Sequence, residues 1–133
     1  MNFVRETLLS VGLLILRFGI GGLMLVHGWA KVQGYEAMAT KFPDPIGLGS
    51  QLSLMMAIGA EVGCSLLLIV GFLTRIAAIP LAFTMLIALL VVHASDPWNV
   101  KELSAVFLLT YVTLIFTGPG TFSVDRLFQK KMP

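Results

Sequence analysis

The nineteen residues LLSVGLLILRFGIGGLMLV, from Leu8 to Val26, decide what kind of protein this is. They are apolar without the alternation that a barrel strand shows over about ten residues. A helix needs about 20 such residues, within roughly 17–25, to cross a bilayer. Reading outward, the first span is expected from about Thr7 to Ala30. Because Arg5 precedes it, the stretch superficially resembles a secretory leader. It is too long for a leader's apolar region, holds Arg17 and lacks an A-x-A site, so it reads as a retained helix.

Three more apolar stretches follow, at about Gln51–Leu73, Ile76–Ala94 and Lys101–Thr117. The first connection, Lys31 to Ser50, holds Gly34, Pro43, Pro45, Gly47 and Gly49, and Tyr35–Phe42 within it is expected as a short interfacial helix stopped by Pro43. Thr74 and Arg75 are expected as a tight turn, with Pro80 in or just beyond the first turn of the third span. Gly118-Pro119-Gly120 ends the fourth span. Ser123 then caps a last short helix that has Asp125 in its first turn. Phe122, Val124, Leu127 and Phe128 give it an apolar side and Arg126, Lys130 and Lys131 a basic end, the pattern of a helix lying on a membrane surface.

Composition supports this reading. The 133 residues are 57% hydrophobic and 12% charged, with mean hydropathy +0.92, where a soluble domain is about half apolar and about a quarter charged. So small a chain has too little interior to hide the excess, and in hydrocarbon its backbone must pair internally. The expected fold is therefore an all-α integral membrane four-helix bundle with a short C-terminal interfacial helix, one domain over residues 1–133. The lipid bilayer is its implied partner. A net charge of +2 without a basic stripe argues against nucleic acid. Cys64 is the only cysteine, so neither an intramolecular disulfide nor a cysteine metal cluster can form, and no metal site is expected. Four spans place both termini on one side with Arg5, Arg75, Arg126, Lys130 and Lys131, against Lys31, Lys41 and Lys101 opposite. The positive-inside rule then expects both termini in the cytoplasm.

An ionisable group at mid-span costs roughly 2.5–3.5 kcal/mol on insertion scales, which makes each one a functional candidate. Arg17 and Glu61 lie midway along the first and second spans, and counting inward from the outer ends puts them at similar depth, so an Arg17–Glu61 ion pair is expected. Nearer the outer surface His27 and Lys31 share a helix face. His93 is expected at the same depth on the third span, with Asp96 and Glu102 flanking the next loop. Two histidines at one depth raise bis-His haem ligation. A quinone, needing donors beside an apolar slot, fits His27, Lys31 and His93 better. Gly21 and Gly28, seven residues apart on the Arg17 stripe, mark a close helix approach.

Taken in order, these features resemble the DoxX family of small bacterial inner-membrane proteins. The resemblance rests on Leu16-Arg17, Val26-His27-Gly28-Trp29-Ala30-Lys31, Gly59-Ala60-Glu61-Val62-Gly63, Gly71-Phe72-Leu73-Thr74-Arg75, Gly118-Pro119-Gly120 and Ser123-Val124-Asp125. It implies a four-helix bundle in the cytoplasmic membrane that serves as a subunit of a quinone-linked redox system rather than as a complete oxidoreductase. Arg17, His27, Lys31, Glu61, His93 and Glu102 are the implied ligand-binding positions, and Arg75, Gly118 and Pro119 the structural ones. A redox-enzyme partner subunit and self-association are the associations this leaves open. The alternatives are a non-enzymatic scaffold for redox enzymes, contacting them through the basic tail, and a small-molecule transporter using Arg17 as counter-charge.

Overall fold

The computed structural model describes residues 2–131, so the outermost residues of the domain expected over 1–133 lie outside the described residues. Helix α1 (Phe3–Gln33) opens on Asn2, whose side chain accepts from the Val4 amide at 3.1 Å. At 31 residues it is about 46 Å long, well beyond the hydrocarbon thickness of about 30 Å. It therefore runs past the expected Thr7–Ala30 at both ends. The one-turn helix α2 (Tyr35–Met38) follows, shorter than the expected Tyr35–Phe42. Helices α3 (Ser50–Val70), α4 (Thr74–Val92) and α5 (Trp98–Thr117) complete four spans, and α6 (Val124–Lys131) closes the described chain. No strand occurs among the described residues.

The turn between α3 and α4 is made by Gly71–Leu73, not by Thr74 and Arg75, which already begin α4. Gly71 terminates α3 in the left-handed conformation, at φ +73°, where glycine carries no Cβ penalty. Pro80 lies in the second turn of α4, just beyond the first as expected. It leaves the Ile76 carbonyl without a helical donor.

The interior is narrow and apolar: Met24, Leu54, Leu68, Ala77, Ala78, Leu81, Phe107 and Leu114 are buried. The alanines of α4 let it pack along α5, while α1 lies against the second half of α3. Leu8, Ile15, Leu23 and Val26 of α1, Ile79 and Phe83 of α4, and Leu109 and Phe116 of α5 face outward. Such an apolar exterior on helices of spanning length is the surface a bilayer solvates. This is a multi-pass membrane protein.

Helix α1 and the segment leading into α6 meet at one end of the bundle, here the terminal end. Ser10 of α1 donates to the Thr121 hydroxyl at 2.9 Å and accepts from the Thr121 amide at 3.1 Å. Ser123 caps α6 as expected, accepting from the Arg126 amide at 3.3 Å. Asp125 instead serves the neighbouring helix: its carboxylate accepts from the Leu73 and Thr74 amides at 2.7 and 3.0 Å, capping α4. Its own amide donates to Gly71 at 2.9 Å, and Phe128 packs on Phe72, so α6 is clasped to the α3–α4 turn.

Candidate functional site

The depth of each polar residue is fixed where α1 crosses α3. A Cβ added at Gly28 would lie 2.9 Å from the Glu61 Cβ and 2.8 Å from a Val62 methyl, so only glycine lets the two backbones approach there. Glu61 is thus level with Gly28. Lys31, one turn further along α1, sets its ammonium astride the Glu61 carboxylate, 3.0 Å from Oε1 and 2.9 Å from Oε2. Glu61 is 4% exposed, and the lysine neutralises a charge that the bundle interior would otherwise penalise.

This pair borders a cavity of about 310 Å³ at the loop end, between α3, α4 and the first connection. Met56, Ala60, Phe83 and Ala88 form its apolar walls, and Phe42, Pro43, Ile46 and Leu48 cover it. Lys31, Glu61 and His93 supply its ionisable groups. The cover is held by Asp44, whose carboxylate accepts from the Leu48 amide at 2.7 Å, the Gly49 amide at 2.9 Å and the Ser53 hydroxyl at 3.0 Å. These bonds, the one from Gly49 foremost, hold the Asp44 carboxyl below the usual carboxylate range. His93 ends α4, and its Nδ1 lies 2.7 Å from the Asp96 carboxylate.

Both spans that wall the cavity depart from regular α-helix beside it. Residues Gly59–Cys64 of α3, which carry Glu61, and Ala88–Val92 of α4, which lead into His93, are wound as π-helix. The His93 amide reaches back five residues to the Ala88 carbonyl at 2.9 Å. Such turns occur mostly as single bulges and often at functional sites.

Three expected positions lie elsewhere. Arg17 does not meet Glu61: the crossing at Gly28 leaves it eleven residues, about 16 Å, nearer the terminal end. Fully buried there, its guanidinium donates to the carbonyls of Leu68 at 3.3 Å, Ile69 at 3.5 Å and Phe122. It joins α1, the end of α3 and the segment before α6. His27 is exposed on another face of α1, its ring edge-on to Phe107 with centroids 6.0 Å apart, so it shares no cavity with His93. Glu102 is exposed in the second turn of α5 and does not line the cavity. Arg75 donates to the Phe116 carbonyl at 3.4 Å and packs on Gly118. The cover and the π turns were missed from sequence, although Pro43, Pro45, Gly47 and Gly49 marked the segment as irregular. The Asp96 partner of His93 was signalled by their spacing of three residues.

The model of the family described as DoxX matches residues 12–94, and so takes in Arg17, the Gly28–Glu61 crossing and His93. The chain belongs to the DoxX family. "Inner membrane protein YqjF" of Escherichia coli (strain K12) is 36% identical over 128 residues, covering 92% of this chain and 95% of that one. "Putative oxidoreductase CatD" of Bacillus subtilis (strain 168) is 32% identical over 122 residues, covering 91% and 90%. An uncharacterized protein of Haemophilus influenzae is 32% identical over 132 residues, covering 93% and 87%. No solved structure matches the chain. Several of the motifs that carried the resemblance meet in space: the Arg17 guanidinium lies against Gly71, Asp125 caps α4 at Thr74, and Lys31 pairs with Glu61.

Proposed function

We propose that this DoxX protein is a membrane subunit of a quinone-linked redox system and holds the head group of a quinone-like ligand in the loop-end cavity. The observation carrying this reading is the presence of an ion pair and a histidine on the wall of an otherwise apolar cavity inside a membrane bundle. The relative named as an oxidoreductase agrees with it. At about 310 Å³ the cavity is at the lower limit for ligand sites. It suits a head group, with any long tail left to the lipid.

The donor set is specific. A carboxylate only accepts, so in the neutral ring of His93 the Nδ1 facing Asp96 carries the hydrogen and Nε2 is left as an acceptor. Lys31 only donates. Lys31 can thus donate to a ring oxygen of either redox form of a quinone, and His93 Nε2 can accept from a hydroxyl of the reduced form. When bound, that group supplies reversible two-electron, two-proton chemistry. The residues of this chain bind and orient it, and hold a proton at His93 Nε2 or at the Glu61 carboxylate.

Titrating purified protein with a short-chain ubiquinol analogue, the reduced form from which His93 Nε2 can accept, tests this. Wild type binds, His93→Ala and Glu61→Gln each weaken binding by about tenfold, and His27→Ala leaves it unchanged. Equal, weak binding by wild type and His93→Ala overturns the reading. We also place both termini in the cytoplasm, on the excess of Lys and Arg at the terminal end. In a Cys64→Ser background, Gln129→Cys should react with an impermeant maleimide only after cells are opened.

A further inference from the structure

The terminal end has a cleft of its own, about 560 Å³, separate from the loop-end cavity. Arg75 at the start of α4 and Arg126 on α6 both line it. Among the described residues neither guanidinium has a carboxylate within ion-pair distance. Asp125 lines the same cleft, but both its oxygens are engaged by the Leu73 and Thr74 amides. Glu6 enters from α1 on the opposite side. The apolar walls include Leu9 and Ile76, exposed by 55% and 63% on the lipid-facing side.

From this juxtaposition we infer that the terminal-end cleft is a binding site for an anionic phospholipid, its phosphodiester between Arg75 and Arg126 and an acyl chain along Leu9 and Ile76. A planar guanidinium presents paired N–H groups that match phosphate oxygens. Basic pockets between spanning helices, at head-group depth, are where anionic lipids are recognised. A free phosphate would use the arginines alone, whereas a lipid also uses the apolar walls. Glu6 narrows the class further. A second negative charge beside its carboxylate is unfavourable, so a phosphodiester with one charge is preferred to a phosphomonoester with two. The basic α6, with Lys130 and Lys131 in its last turn, draws such lipids toward the mouth.

The test is binding of phosphatidylglycerol to the delipidated full chain in mild detergent, read by native mass spectrometry. Saturable binding of one lipid is expected, with phosphatidylcholine and phosphatidic acid both weaker. Arg75→Gln and Arg126→Gln each lower affinity about fivefold, while the pair Lys130→Gln and Lys131→Gln lowers it less than about twofold, because those side chains lie outside the cleft. Arg126 is exposed on a surface helix, so its variant reports even if the Arg75 variant fails to fold. Equal binding of phosphatidylcholine overturns the proposal, as does equal loss in the lysine pair. Displacement of the lipid by millimolar inorganic phosphate would show a phosphate site but not a lipid site, and overturns it too.

Discussion

Arg17 at the terminal end and Glu61 at the loop end are both ionisable groups buried within spans, yet their surroundings differ in kind. Arg17 lines neither cavity: three backbone carbonyls from two parts of the chain take up its two terminal nitrogens, and Nε is buried without a partner. Around Glu61 there is one cation, Lys31, and then a cavity. A charge in hydrocarbon therefore does not mark function by itself. It marks function where space and unused hydrogen-bonding capacity lie beside it, and architecture where they do not.

The largest effect expected from this contrast is at Arg17. Arg17→Leu removes the guanidinium that ties α1 to the end of α3 and the segment before α6, and should lower stability by about 3 kcal/mol or more, read as the unfolding midpoint in a denaturing-detergent titration. Unchanged stability would place Arg17 with Glu61 after all. Next is Gly28→Ala, which puts a methyl against the Glu61 backbone and should cost about 1–3 kcal/mol. It should also weaken ligand binding, by displacing Lys31 from Glu61. Smaller effects are expected from the ion pair: Lys31→Met or Glu61→Leu alone should cost about 1 kcal/mol, and the double variant less than their sum. The Lys31 side chain is 21% exposed, so water relieves part of each loss.

The smallest effect is local. Because the folded pKa of Asp44 is depressed, its clasp on the cover is complete above the ordinary carboxylate pKa of about 3.9 and is lost as pH falls through the lower folded value. Amide exchange at Leu48 and Gly49, corrected for its intrinsic pH dependence, should accelerate only in that acid window. Acceleration near neutral pH would show that something other than Asp44 holds the cover.

The spans were legible because hydropathy reports what lipid requires. Their ends were less so, since hydropathy marks membrane thickness while Arg5, Lys31 and Gln33 continue α1 in the interface. Gly21 and Gly28 correctly announced a close approach, to the Ser65 carbonyl and to Glu61. Counting depth from span ends nevertheless paired the wrong cation with Glu61, because it assumes level ends. The packing contact at Gly28 sets the register instead. Lys31 had been grouped with His27 on the strength of helix spacing, but only Lys31 turns toward α3. Nothing in residue type announced the π turns.

Those two turns let the cavity tolerate a change in chain length that regular helix would not. Each accommodates a surplus residue within its helix. Removing one residue from Ala88–Val92 would let α4 wind regularly and leave His93 facing nearly as it does now, whereas the same deletion in a regular stretch would turn it about 100° around the helix axis. A change of one residue within these two short segments should therefore spare the cavity, where the same change elsewhere in either span would dismantle it.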